Sequence, residues 1–151
     1  MNGKERILAT FDGGSRDHLA LMPITAIFAE HMRWVLYQDY AKDYRVLADA
    51  QMRTAEKYGF DYVSVISDPA REASDLGGAV EWFENQPPAL IEQHAVLLDK
   101  SSLSKLGQPG MAAGSRMEDR VRGVEALRQS VGDELLVEGW VEGPWSVDDE
   151  R

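Results

Sequence analysis

Residues 135–146 read Leu-Leu-Val-Glu-Gly-Trp-Val-Glu-Gly-Pro-Trp-Ser, and this stretch decides the fold prediction. Its apolar start is typical of a buried strand, which we predict over 135–141, and Gly143-Pro144 predicts a turn after it. A buried parallel strand normally leads into a helix that returns to start the next strand. The chain instead ends at Arg151. We therefore expect the N-terminal part of a larger α/β barrel.

The length and composition are those of a globular domain. The 151 residues suffice for one domain with its own core, but a (β/α)8 barrel typically needs roughly 250. A hydrophobic content of 44% and a charged content of 28% are ordinary for such a domain. The net charge of −10 argues against a nucleic-acid partner and against an anionic membrane surface. We expect a single domain over 1–151, without a membrane span.

The chain contains no cysteine, which excludes disulfides, thiolate zinc sites and a cysteine nucleophile within it. This composition and the absence of an apolar secretory core at the N-terminus favour a cytoplasmic location. The three histidines, His18, His31 and His94, have no His or Cys partner at metal-ligand spacing. We therefore predict that this chain forms no metal site by itself.

The first half of the chain predicts a strand, a helical connection and a second strand. The predicted elements are a helix over 3–10, a strand over 19–25, a helix over 26–37, a helix over 40–58 and a strand over 62–67. Pro23 weakens the first strand because proline cannot donate to a ladder. Asp39 is the predicted cap of the helix over 40–58, and Gly59 its stop. Parallel pairing of the two strands is the default for this order.

The second half predicts a hairpin, a loop and a long helix. We predict a short helix over 69–76, two extended pieces over 79–83 and 89–98, and a surface loop over 104–114. Ser115 and Glu118 have the spacing of a capping box at the start of a helix that Gly132 ends. The apolar stripe predicted for that helix consists of Met117, Val121, Val124, Leu127 and Val131. Together, the elements of both halves predict about three parallel strands with flanking helices and a hairpin excursion.

Asp68 is the leading catalytic candidate, because chemistry in parallel α/β folds gathers at the C-terminal ends of strands. A carboxylate there accepts hydrogen bonds from a ligand N–H or acts as a general base. The alternative is that Asp68 caps a helix that has Pro69 at its first position. The two roles can coexist.

Five further residues at strand ends are candidates for substrate binding. They are Thr25 after the first strand, Arg71 after the second, and Glu138, Trp140 and Glu142 around the third. The two glutamates are four residues apart and lie on the same side of an extended strand. The alternative is one buried polar group, one solvated turn carboxylate and a tryptophan that forms part of the core or wall.

Four features of the sequence resemble the uroporphyrinogen decarboxylase family and its cobalamin-dependent methyltransferase relatives. They are Lys4–Leu8 before an apolar strand with Pro23, residues 58–62 before a strand that ends in Ser67-Asp68, residues 73–77, and the Gly-Trp-Val-Glu-Gly-Pro strand within 137–146. Their order carries the resemblance, which covers almost the whole chain but only the N-terminal part of the family's fold. It implies part of a single (β/α)8 barrel.

The decarboxylase branch has an aspartate after its second strand that binds pyrrole N–H groups, and Asp68 occupies the matching place. That branch also has an arginine pair after its first strand that holds the substrate's carboxylates. This chain has no arginine between Thr25 and Arg33. An acidic chain without that clamp is poorly suited to a substrate with many carboxylates. This departure favours the methyltransferase-like branch.

In the methyltransferase branch a zinc ion activates a thiol, which takes a methyl group from a corrinoid. The resemblance places the zinc ligands, a His-x-Cys and a later Cys, in the C-terminal half. We therefore expect this chain to bind neither zinc nor a corrinoid alone and to be inactive by itself, with a small molecule or a corrinoid protein as substrate of the full protein.

Two alternatives stay open. The first is a decarboxylase-like lyase that acts on a tetrapyrrole. The second is a non-catalytic half-barrel that associates with itself, since three parallel strands cannot close a barrel. Open strand edges and apolar surface predict a homo-oligomer in either case.

Overall fold

The computed structural model describes residues 1–97, 99–105 and 112–143 as a mixed arrangement of helices and short strands. The helices are α1 (Gly3–Phe11), α2 (Ala26–Arg33), α3 (Tyr37–Lys42), α4 (Tyr44–Tyr58), α5 (Arg71–Asp75) and α6 (Arg116–Val131). The strands are β1 (Tyr62–Ser64), β2 (Val80–Glu81), β3 (Ala89–Leu90) and β4 (Leu136–Glu138). Two 3-10 turns cover Glu92–His94 and Lys100–Lys105. No helix in the described ranges combines the length and the apolar character that a membrane crossing requires.

The core lies between a parallel strand pair and two helices. β1 pairs with β4 in parallel, with Tyr62 opposite Leu136 and Ser64 opposite Glu138. Helices α4 and α6 pack on each other and on these strands, and the buried core includes Leu47, Val63, Val65 and Leu127. The chain from β1 through α6 to β4 is therefore a β–α–β unit, as predicted for the second and third strands.

The prediction of a strand over 19–25 is wrong, so the described residues contain two parallel strands instead of three. This segment contacts Asp61, the residue before β1, through two hydrogen bonds. The N–H of Asp61 donates to the carbonyl of Leu21 (3.0 Å), and the N–H of Leu21 donates to the Asp61 carboxylate (2.7 Å). Pro23 supplies no N–H, so the contact does not extend into a ladder.

The helical connection differs from the prediction at three points. The helix predicted over 26–37 ends early, at Arg33, because Trp34 takes a left-handed conformation (φ 58°). The helix predicted over 40–58 is divided between α3 and α4 at Asp43. The predicted cap, Asp39, does not cap α4. The N-cap of α4 is Asp43, whose side chain accepts the N–H of Arg45 at 2.8 Å. Gly59 ends α4 in the left-handed region, as predicted.

The predicted hairpin is confirmed, with β2 and β3 paired in antiparallel fashion. The extended piece predicted over 89–98 is too long, because β3 ends at Leu90 and a 3-10 turn follows at Glu92–His94. Ser115 caps α6 as predicted, and its hydroxyl accepts the N–H of Glu118 at 3.1 Å. The buried face of α6 is rotated from the predicted stripe, since Val121 is half exposed while Arg120 and Gly123 are buried. Most of the loop predicted over 104–114, and the turn after Gly143, lie outside the described residues.

Helix α1 docks on the start of β1 through a glycine. A Cβ at Gly3 would lie 2.7 Å from the carbonyl oxygen and 2.8 Å from the Cα of Asp61. One turn later Arg6 forms a buried ion pair with the Asp61 carboxylate. Both contacts are with the residue that precedes β1, so the close approach of α1 fixes where β1 begins.

We predict that Gly3→Ala lowers the free energy of unfolding by about 1–3 kcal/mol, because the added methyl group meets backbone atoms that cannot rotate away. The matched control is Gly139→Ala, where a Cβ would have no neighbour within 4 Å. Urea denaturation followed by circular dichroism measures both variants. Equal midpoints for the two would contradict the packing of α1 on β1.

Candidate functional site

Asp68 lies buried just after β1, and both its carboxylate oxygens have donors. Arg116 donates from Nη1 to Oδ1 (3.1 Å) and from Nη2 to Oδ2 (2.5 Å), and the Ser67 hydroxyl donates to Oδ2 (2.6 Å). This is a bidentate, charge-assisted pair. The helix-cap interpretation of Asp68 is wrong, because α5 begins at Arg71 with Ala70 as its N-cap and without a side-chain cap.

Two arginines of α6 that sequence reasoning missed complete this arrangement. Arg116 is the first residue of α6, and Arg120 follows one turn later. The Arg120 guanidinium donates to the Ser67 hydroxyl (2.9 Å) and to the carbonyl of Ala41 (2.7 Å). Burial lowers the pKa of Arg120 to about 10, with Arg71 as the next contributor. The available sequence clue was two arginines four apart, which lie on one helix face.

Arg71 joins the ends of the two parallel strands. Its guanidinium is fully buried and donates to the carbonyls of Val65 (3.4 Å) and Trp140 (2.7 Å) and to the Glu72 carboxylate (2.9 Å). The indole N–H of Trp140 donates in turn to Glu142 at 2.7 Å. The structure thus brings together Arg71, Trp140 and Glu142, three of the predicted substrate-binding residues, at the C-terminal end of the strands.

Thr25 and Glu138 lie apart from these contacts. Thr25 is buried at the start of α2, and its side chain forms no cap hydrogen bond there. Glu138 ends β4, and its carbonyl accepts the N–H of Val65 at 3.2 Å. Burial raises the pKa of Tyr62 to about 12, and the carboxylate of Glu138 adds to that shift.

Two tyrosines of α3 support the chain directly after β1. The Tyr37 hydroxyl donates to the carbonyl of Ser67, and the Tyr40 hydroxyl donates to the carbonyl of Ile66 at 2.9 Å. Gln51 donates to the Tyr40 oxygen at 2.8 Å. Burial raises the pKa of both phenols well above the usual range, so both stay neutral donors at ordinary pH.

Several buried side-chain atoms around Asp68 have no hydrogen-bond partner among the described residues. They are Oε2 of Glu72, Nε of Arg116, Oδ2 of Asp119, and Nε and Nη1 of Arg120. Such atoms are costly unless water or a ligand meets them. Within the described ranges, no three His, Cys, Asp or Glu side chains converge as a metal site would require. The cluster therefore consists of guanidinium donors and carboxylate acceptors around one strand end.

The comparison with solved structures shows the same fold in a larger protein. A methyltransferase from Methanosarcina mazei superposes with a TM-score of 0.71 at 15% sequence identity, over 97% of this chain and 44% of that one. The chain therefore spans less than half the length of that structure. No curated protein matches the sequence. The family model for uroporphyrinogen decarboxylase (URO-D) matches residues 2–148, and the chain therefore belongs to the uroporphyrinogen decarboxylase family.

Proposed function

We propose that this chain is the N-terminal portion of a methyl-transfer protein with a (β/α)8 barrel, and not of a porphyrinogen decarboxylase. The observation that carries the proposal is the state of Asp68, whose two oxygens are occupied by Arg116 and Ser67. These donors take three of the roughly four acceptor positions of a carboxylate, so the several pyrrole N–H groups of a tetrapyrrole can bind there only after the guanidinium leaves. Separating such a pair costs about 3–5 kcal/mol when the partner is left unpaired.

The exposed side chains around Thr25 also support the methyltransferase-like branch. Where the decarboxylases have an arginine pair, the side chains of Ile24, Ile27 and Phe28 are exposed to solvent. An apolar surface gives no hydrogen bonds to the carboxylates of a uroporphyrinogen, whereas a guanidinium pair binds them in bidentate fashion. The solved methyltransferase of the same fold adds a precedent for the chemistry proposed here.

Zinc and a corrinoid belong to the proposed full protein, and the residues of this chain do not fit the zinc. The sequence has no cysteine to supply the thiolate ligands of that branch. We therefore assign no catalytic step through a metal to this chain and propose that it is inactive alone. Its contribution is the end of the β1–β4 pair, where Trp140 and Glu142 are part of the surface proposed to face a corrinoid or small-molecule substrate. The buried Arg71 supports that surface through its hydrogen bond to the carbonyl of Trp140.

Titration of the chain with uroporphyrin, followed by tryptophan fluorescence, tests the proposal against the decarboxylase alternative. We expect no saturable response, because Asp68 is occupied and the arginine pair is absent. Saturable uroporphyrin binding that disappears in Asp68→Asn would contradict the proposal and favour a decarboxylase-like lyase.

A second candidate function, self-association, is favoured by one apolar surface. Six large apolar side chains between residues 19 and 34 are exposed: Leu19, Leu21, Ile24, Ile27, Phe28 and Trp34. The exposed fraction reaches 93% for Trp34 and 68% for Ile24. Exposed apolar patches mark association sites in soluble proteins. We propose that a second copy of the chain covers it.

Light scattering at micromolar concentration tests this association. We expect a dimer or larger species, and we expect the double variant Ile24→Ser with Phe28→Ser to shift it toward the monomer. Val141→Ser is the matched control, because Val141 is at least as exposed as the two substituted residues and lies outside this segment. A monomeric chain at this concentration would refute self-association.

A further inference from the structure

The hairpin of β2 and β3, residues 79–91, is held to the rest of the structure through Trp82. Its two strands pack mainly on each other. Two cations lie against the Trp82 ring: Lys42 Nζ is 3.9 Å from the ring centroid and the guanidinium carbon of Arg116 is 4.8 Å from it. One backbone bond, from the N–H of Gln38 to the carbonyl of Glu84 (3.3 Å), adds to this attachment.

The guanidinium of Arg116 makes three contacts: with Asp68, with the Trp82 ring and, at 3.5 Å, with the carbonyl of Ala41. The same guanidinium that contacts Trp82 forms the bidentate pair with Asp68. The backbone of Arg116 is fixed separately, because the N–H groups of Arg116 and Met117 donate to the Asp75 carboxylate at 3.1 and 2.7 Å. A change at Asp68 therefore acts on the Arg116 side chain while the start of α6 stays in place.

Among the described residues, no hydrogen bond or ion pair joins Asp68 directly to the hairpin. We propose that Arg116 is a positioning residue that couples Asp68 to the hairpin, so that any group that takes the carboxylate from Arg116 also loosens residues 79–91. The coupling runs from the carboxylate to the guanidinium and from the guanidinium to the Trp82 ring. It makes the hairpin respond to occupancy at the end of β1.

The inference is independent of the proposed function, since it requires only the contacts of Asp68, Arg116 and Trp82. A planar guanidinium can satisfy a carboxylate with its N–H groups and an aromatic ring with its face at the same time. Without Asp68 the guanidinium keeps only the long hydrogen bond to the carbonyl of Ala41 (3.5 Å) and the ring itself, so its position over Trp82 is no longer fixed. The hairpin would then keep its own β2–β3 bonds, the Lys42 contact and the Gln38–Glu84 bond, but its contact with Arg116 would be weakened.

Hydrogen exchange of the full chain, read by mass spectrometry, tests the coupling without any ligand. We expect Asp68→Asn to speed exchange in residues 79–91 by about threefold or more, as the loss of a cation–π contact implies, with no change in α4. Asp133→Asn is the matched control, because that exposed carboxylate also pairs with an arginine, Arg128 at 2.9 Å, far from the hairpin in sequence. It should leave the hairpin unchanged.

A second pair of variants separates coupling from general loosening. In a Trp82→Ala background the contact between Arg116 and the ring is already absent, so adding Asp68→Asn should produce no further increase in the exchange of the hairpin. An equal increase with and without Trp82, or an equal increase in α4, would overturn the proposal. If Asp68→Asn fails to fold, Arg116→Lys decides, because lysine keeps the charge but loses the bidentate geometry. Unchanged hairpin exchange in that variant would also overturn the proposal.

Discussion

The carboxylate of Asp68, held by two N–H groups of Arg116, is the interaction on which the rest of this site depends. It joins the end of β1 to the start of α6 across 48 residues of sequence. A buried pair of this kind adds little to stability by itself, but removing one partner is expensive because the other charge stays buried. The pair therefore fixes the arrangement of the two elements more than it strengthens the fold.

An aspartate that pairs with an arginine from a helix lies near each end of β1. At the start, Asp61 pairs with Arg6 of α1, and beyond the end, Asp68 pairs with Arg116 of α6. Each aspartate also accepts a second donor close to the strand, which is the N–H of Leu21 at the start and the Ser67 hydroxyl at the end. Both carboxylates thus position helices against one short strand.

The rest of the cluster serves the same strand end with donors of different kinds. The phenols of Tyr37 and Tyr40 donate to backbone carbonyls directly after β1. Arg71 donates to one carbonyl that follows β1 and to one that follows β4. Buried backbone acceptors require such partners where a ladder ends. The predicted substrate-binding role of Arg71 stays a prediction, but its guanidinium has a structural role that any ligand contact would share.

The sequence predicted elements whose signals are local, and it missed contacts that depend on distant residues. The hairpin, the Ser115 cap and the Gly59 stop follow from turn and capping chemistry within a few residues. The break between α2 and α3 had no such signal, because a tryptophan rarely adopts the left-handed conformation of Trp34. Arg120 was missed because periodicity assigns charged residues to the solvent side of a helix, whereas its partners come from other elements.

A double-mutant cycle on Asp68 and Arg116 tests this account most directly. The free energies of unfolding of Asp68→Asn, Arg116→Met and the double variant would be measured by urea denaturation. The account predicts that the double variant is destabilised much less than the sum of the single variants, with a coupling energy of about 1–3 kcal/mol. Single effects that add to within about 0.5 kcal/mol would contradict a direct pair and with it the proposed organisation of the site.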